Sequence, residues 1–428
     1  MVYTDATVCV AYLFALKQRV DVMADLRTKF CGLDFKNPIV VASAEPTNSV
    51  KNMKKCIDHG AGGIITKTIG DIPAMQTLTR NSKYAILDDK GKIIDKRVPR
   101  SFFFYSRSGY VSEHYKEWIP ILKETQAYAA ANGSHVIGNI TGGTIEGWVQ
   151  LARMVEDCGV PMMEINYQYA HPADYDGPTV GNWIAQDAGV TAEVTRRIKE
   201  AVDIPVMVKL SPEAHNLTEI AQAARNAGAD AVAANSRFVG FAVDIENARP
   251  YIGGVAGIGG PWVKYITLRW IHEIYAKTGI PMSASNGIYD GRDAIEYFMT
   301  GADIMQVCSV LMLKGIQFIE TIIADMEKFL DDNGYASIDE IHGIASKKAQ
   351  SPAELFEAAK DYCLIDHEKC KFPKCDLCIR TCFYDALNEG EERVKFTADN
   401  CIGCELCHSV CPFGAITMTK DKQQAVEA

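Results

Sequence analysis

The chain has 428 residues, of which 48% are hydrophobic and 23% charged. This is an ordinary globular composition, with material for one large domain and one small one. The formal net charge of −10 argues against a nucleic-acid partner, which needs a basic face.

Residues 1–26 read as an N-terminal extension. Ala11–Leu16 lies in a short apolar run, but Asp5 precedes it and no basic segment leads it. Neither a signal peptide nor a membrane span is expected. The reading is a cytoplasmic protein with no membrane partner.

From residue 27 a unit repeats: a short β-rich run, a loop, an amphipathic helix and a glycine. The predicted strands are Ile39–Ser43, Gly63–Thr66, Val136–Ile140, Met162–Asn166, Val206–Leu210, Ala231–Asn235, Met282–Ser285 and Ile304–Cys308. Near-continuous apolar runs of this kind are parallel strands covered on both faces. Gly60, Gly159, Gly228 and Gly301 stand where helices need a left-handed C-terminal turn. Eight such units over residues 27–325 predict a (β/α)8 TIM barrel, with a doubly wound sheet as the rival. The long connection 69–135 is expected to hold a hairpin, Tyr84–Leu87 with Lys92–Asp95. Residues 326–360 read as a helical connection to a C-terminal domain at 361–428.

A barrel of this class builds its site at the C-terminal strand ends. Those ends offer Ser43 and Glu45, Lys67 and Thr68, Asn139, Asn166, Lys209, Asn235 and Ser236, Asn286 and Gly287, and Cys308 and Ser309. One strand-end Asn alone is most simply a loop cap, whereas their concurrence around one mouth suits a flavin. A Lys beside the ring edge, Lys209 or Lys67, stabilises negative charge on the reduced ring. Backbone N–H groups of Gly259, Gly260, Asn286, Gly287 and Ser309 could cradle its phosphate. Gly257-Ile-Gly259-Gly260-Pro261-Trp262 lacks the third glycine of a dinucleotide fingerprint, so NAD(P)H binding by this chain is unsupported.

The last stretch carries Cys370, Cys375, Cys378 and Cys382, then Cys401, Cys404, Cys407 and Cys411 followed by Pro412. The second run has the C-x2-C-x2-C-x3-C-P spacing of a two-cluster ferredoxin, in which the fourth Cys of each run ligates the other 4Fe–4S cluster. The expected sets are Cys370, Cys375, Cys378 with Cys411, and Cys401, Cys404, Cys407 with Cys382. Paired C-x2-C also suits zinc, which is the rival here. Cys363 and the five other cysteines show no pairing pattern, and a reducing, low-oxygen compartment fits.

Asn37-Pro38 with Ala42-Ser43-Ala44, Thr66-Lys67-Thr68, Glu164-Ile165-Asn166, Lys209-Leu210-Ser211-Pro212, Asn235-Ser236 and Gln306-Val307-Cys308-Ser309 together resemble the dihydroorotate dehydrogenase family. Within it, the text is most similar to the FMN-and-ferredoxin part of dihydropyrimidine dehydrogenases. The resemblance covers roughly residues 27–325 and 360–418. It implies an FMN barrel fed by 4Fe–4S clusters, acting on a C=C next to a carbonyl. It places FMN on Ala42, Ser43, Lys67, Thr68, Asn139, Lys209, Asn286, Gly287, Cys308 and Ser309, with Asn166, Gly259 and Gly260 nearby.

The departures lie on the substrate side. The family's acid–base Cys after strand four is replaced by Tyr169, with His171 two residues on. Either could donate the proton; the plainer reading has Tyr167 and Tyr169 as loop aromatics. Glu45 adds a carboxylate, and Tyr105 and Arg107 stand near the position of the family's pyrimidine-binding Asn. Glu45, Tyr105, Arg107, Asn166, Asn235 and Ser236 are the candidate substrate residues. The expected function is reduction of a conjugated, aromatic or heterocyclic small molecule. A true dihydropyrimidine or dihydroorotate dehydrogenase is the first alternative, and a flavin/iron–sulfur electron-transfer subunit the second. Electrons are expected from an NAD(P)H/FAD flavoprotein subunit or a soluble ferredoxin-type donor, and a homodimer stays open.

Overall fold

Eight parallel strands close on themselves: β1 Ile39–Val41, β2 Gly63–Ile65, β3 His135–Thr141, β4 Met162–Asn166, β5 Val206–Lys209, β6 Ala231–Ala233, β7 Met282–Ser285 and β8 Ile304–Val307. The hydrogen-bonded order is β2-β1-β8-β7-β6-β5-β4-β3. A further parallel pairing of β2 with β3, Gly63 opposite His135, completes the ring. That closure excludes the doubly wound sheet. The computed structural model describes residues 24–72, 79, 81–94, 97–167 and 184–427. Several strands end one or two residues earlier than expected, where the chain turns out of the barrel into its loops.

Side chains alternate across a strand, and this alternation builds the interior. Val40, Ile65, Ile137, Met162, Met207, Ala231 and Ile304 point inward, forming one buried apolar group with Phe30 and Phe35. Those two phenylalanines belong to an antiparallel pair, Thr28–Phe30 with Leu33–Phe35. The neighbouring positions, such as Val41, Ile64, Val136, Ile165, Val208 and Met305, point outward into the layer beneath the helices. The helices Val50–Asp58, Ile145–Asp157, Ala188–Lys199, Leu217–Asn226 and Gly291–Thr300 each start behind a capping Ser, Thr, Asp or Asn whose side chain accepts a backbone N–H. Gly301 takes φ 115° at the end of the last of these, the left-handed stop that glycine provides.

The long connection holds the expected turn and builds a larger sheet on its first leg. Lys83–Leu87 pairs antiparallel with Phe103–Arg107, which pairs in turn with Ala256–Gly259. Phe238–Gly240 completes a four-stranded antiparallel sheet. The polar turn does exist, with Asp88 N bonded to Lys92 O at 2.9 Å. Its return leg, among the described residues, bridges Leu87 to Ile93 and bonds Ile94 N to Ile86 O at 2.8 Å.

The chain divides into two compact units at Lys348–Ala349. The expected connection 326–360 is split between them, because Phe318–Asn333 packs on the barrel helix Gly291–Thr300. The second unit holds two small ribbons, Tyr362–Ile365 with Ile416–Thr419 and Leu387–Glu389 with Val394–Phe396. Its core mixes aliphatic side chains with cysteines of both runs. No helix of the described residues is long and apolar enough to cross a membrane.

Candidate active site and cysteine cavities

Two residues beyond five of the seven inward apolar side chains, the barrel interior turns polar. Lys67 follows Ile65, Asn139 follows Ile137, Glu164 follows Met162, Lys209 follows Met207 and Gln306 follows Ile304; all are buried. The register puts Lys209 directly beside Asn166 and Ala233. Glu164, fully buried, is the hub of this layer. Its carboxylate accepts from Asn139, from Lys209 Nζ at 3.1 Å and from Gln306 Nε2 at 2.6 Å. Lys209 also donates to Gln306 Oε1 at 2.9 Å. Neither Glu164 nor Gln306 was among the expected site residues. The available signal was polar residues at inward positions of otherwise apolar strands.

Above this layer lies a cavity of about 1230 Å³, counting its open mouth. Its floor and rim are Ala42, Ser43, Glu45, Lys67, Thr68, Asn166, Lys209, Ser236, Gly259, Gly260, Asn286, Gly287, Cys308 and Ser309. These fourteen expected residues come together on one surface. Thr68 Oγ1 ties two strand ends, lying 3.1 Å from Ser43 Oγ and accepting from Asn166 Nδ2 at 3.4 Å. Asn139 sits just below, within the polar layer.

Three other expected residues fall elsewhere. Asn235 is fully buried and donates to Thr267 Oγ1 at 3.1 Å, outside the cavity lining. Tyr105 and Arg107 lie on the wrong face of their strand: Phe104 and Ser106 line the cavity. Tyr105 instead packs with Ala85, Leu87, Ile252 and Ala256, and its hydroxyl donates to the Gly254 carbonyl. Arg107 reaches the Asn81 carbonyl at 3.5 Å. Tyr169 and His171 lie outside the described residues. Tyr167 is buried away from the cavity, against Trp148 and Thr195.

The same alternation reveals residues that the linear text concealed. Tyr84 stands opposite Ser106 in the sheet, and both line the cavity with Ser108 and Arg237. Arg237 Nη1 donates to Ser106 Oγ at 2.6 Å. The guanidinium lies against Gly257, where a Cβ would come within 3.0 Å of it, so the glycine makes room for the arginine.

Electrostatics tie the two sides of the cavity together. Lys67 Nζ donates to Glu45 Oε1 at 2.7 Å. Burial pushes the Glu45 carboxyl up, but the Lys67 charge and hydrogen bonds from Lys67 and Tyr84 outweigh it and hold the carboxyl below its ordinary value. Burial and the Glu45 charge raise the Tyr84 phenol. Loss of hydration, reinforced by Glu45, pushes the Cys308 thiol up to about 12.

In the second unit, two smaller cavities collect the cysteines. One is lined by Cys370, Cys375, Cys378 and Cys411. The other is lined by Cys382, Cys401, Cys404 and Cys407, with Cys363 beside them. The fourth Cys of each run crosses to the other set, as the spacing predicts. Among the described residues no three His, Cys, Asp or Glu side chains converge on a single-ion position. The thiols ring a space instead, which suits a cubane.

Comparison with known proteins agrees with this architecture. The profile described as dihydroorotate dehydrogenase matches residues 25–330. The chain belongs to the dihydroorotate dehydrogenase family. A 4Fe–4S dicluster domain matches residues 363–418. The chain is 27% identical over 416 residues to the NAD-dependent dihydropyrimidine dehydrogenase subunit PreA of Escherichia coli K12, covering 93% of this chain and 96% of that protein. It is 29% identical to the catalytic subunit of dihydroorotate dehydrogenase B (NAD(+)) of Thermococcus kodakarensis, covering 76% of this chain and 99% of the relative. The corresponding subunit of Methanocaldococcus jannaschii is 28% identical over 75% of this chain and 98% of its own length. As a member of this family, the chain is a flavin-dependent oxidoreductase acting on CH–CH groups, with an iron–sulfur domain.

The barrel residues fit an FMN. Lys209 and Lys67 supply cations, Ser43, Thr68 and Asn166 supply hydrogen-bonding groups, and Gly259 and Gly260 allow close backbone approach. A Cβ on Gly260 would collide with the Phe102 carbonyl, so the chain can bend there only as glycine.

Proposed function

We propose that this chain reduces a C=C bond of a conjugated, aromatic or heterocyclic small molecule, using FMN and two 4Fe–4S clusters. The observation that carries this reading is the two-sided cavity. Its barrel side keeps the family's residues, whereas its sheet side presents Tyr84, Phe104, Ser106, Ser108 and Arg237. Bound FMN would supply hydride exchange at N5. Lys209, held by Glu164 and Gln306, would stabilise negative charge at the ring edge. Phe104 offers a flat apolar wall, and Arg237, Ser108 and the Glu45–Tyr84 pair offer groups for a polar substituent. Tyr169 is the proposed proton donor, with His171 as its neighbour or substitute. A phenol with an ordinary pKa of about 10 stays protonated at neutral pH, which suits the reductive direction.

Electrons would enter through the cysteine-held clusters from an NAD(P)H-oxidising FAD flavoprotein or a soluble ferredoxin-type donor, in the cytoplasm under low oxygen. The similarity to subunit PreA over 93% of the chain favours one second reading, dihydropyrimidine dehydrogenase. Anaerobic protein, its flavin reduced photochemically, should be reoxidised by members of a panel of enones, hydroxyaromatics and N-heterocycles. Reoxidation by uracil or thymine would select the second reading. No acceleration by any compound would leave an electron-transfer subunit.

A further inference from the structure

The two cysteine cavities have different walls, and one ribbon makes the difference. In the antiparallel pair Tyr362–Ile365 and Ile416–Thr419, Cys363 stands opposite Met418 and Ile365 opposite Ile416. Side chains two apart share a face of a strand, so both cross-strand pairs turn toward the core. Cys363, Ile365 and Ile416 are 1%, 7% and 2% exposed. Ile365 and Ile416 line the cavity of Cys370, Cys375, Cys378 and Cys411. Cys363 and Met418 line the cavity of Cys382, Cys401, Cys404 and Cys407. From this ribbon the first cavity therefore receives branched aliphatic side chains, and the second a thiol and a thioether.

We propose that Cys363 is a hydrogen-bond donor to the sulfurs of the second cavity and makes the cluster held there more easily reduced than it would be without that thiol. This rests on the reading that each cavity holds a 4Fe–4S cluster. A cubane has four iron corners, and four crossed cysteines already serve them. A fifth thiol in the same cavity has no iron left to bind, and the cavity it lines is walled by sulfur acceptors. Cys363 lines the same cavity as Cys407, a member of that set. An added electron increases the negative charge on the cluster's sulfurs, so a donor stabilises the reduced form more than the oxidised one. At the matching place on the ribbon, Ile365 has no donor to offer the first cluster.

The test is a reductive titration of the anaerobic full chain, following both clusters by electron paramagnetic resonance, with iron and sulfide assayed in each variant. Cys363→Val should lower one potential by about 59 mV, about tenfold in a one-electron equilibrium, at unchanged iron content. Cys363→Ser, which keeps a donor, should stay near the unaltered chain. Ile365→Cys should raise the other potential. Unchanged potentials in Cys363→Val at full iron content would overturn the proposal, since the thiol would then only pack. Loss of half the iron would also overturn it, because Cys363 would then be a ligand. Should Cys363→Val not fold, a flat response to Ile365→Cys decides against it. Fewer than two clusters in the unaltered chain would instead defeat the two-cluster reading.

Discussion

Lys67 Nζ and Glu45 Oε1 lie 2.7 Å apart at the barrel mouth, with the two side chains 6% and 29% exposed. Each charge is covered, so each depends on the other. Replacing Glu45 by Gln should destabilise the protein, and a double-mutant cycle with Lys67→Met should show coupling of about 0.5–3 kcal/mol. The pH dependence follows from the depressed Glu45 carboxyl. Its folded pKa lies below the unfolded value of about 4.3. The pair's stabilisation is therefore complete above that value and is lost as pH falls through the folded pKa. Denaturant unfolding across the acid range should show a shallower decline in Glu45→Gln than in the unaltered chain.

Strand alternation separates Tyr105 from its neighbour Ser106. Tyr105→Phe should cost about 0.5–1.5 kcal/mol, because the phenol no longer donates to the Gly254 carbonyl. Flavin content and substrate-dependent reoxidation should not change. Ser106→Ala should do the opposite: near-normal stability, but weaker substrate binding through the loosened Arg237. Thermal unfolding and steady-state KM distinguish the two, and a large KM change in Tyr105→Phe would contradict the assignment of faces.

Lys209→Ala removes the cation beside a carboxylate that is fully buried. Breaking such a pair from one side costs about 3–5 kcal/mol. The variant should retain less FMN after gel filtration, and what it retains should be reduced more slowly. Full flavin content with a normal reduction rate would reduce Lys209 to a structural ion pair.

Tyr169→Phe keeps the ring and removes the proton. If Tyr169 is the donor, substrate-driven flavin reoxidation should slow by about 10²-fold or more, while reduction by the electron donor stays normal. An unchanged rate in Tyr169→Phe with a large loss in His171→Ala would transfer the role to His171. Stopped-flow measurement of each half-reaction separates these outcomes.

Anaerobically prepared protein should contain one FMN and about eight iron and eight sulfide per chain. Cys404→Ala should lose about half of the iron and all turnover driven by the partner. The isolated chain should not oxidise NAD(P)H, and efficient oxidation without added protein would contradict the need for a partner.

The barrel and the cysteine sets were legible in the linear text because both are local patterns. Apolar runs separated by glycine-terminated helices leave few closed parallel arrangements, and the C-x2-C spacing specifies which thiols can share a cluster. The strand-end residues Lys67, Lys209 and Ser309 followed from the same logic. What lines the substrate side was decided elsewhere. The face that Phe103–Arg107 turns to the cavity depends on its pairing with Lys83–Leu87 and Ala256–Gly259, which are distant in sequence. A shift of one residue in such a pairing exchanges every side chain between core and cavity. Tyr105 and Arg107 were therefore plausible in the text yet lie on the other face, while Tyr84 and Arg237 carried no local signal. Cys363 belongs to the same class: only its pairing opposite Met418 sets it against the second cysteine cavity.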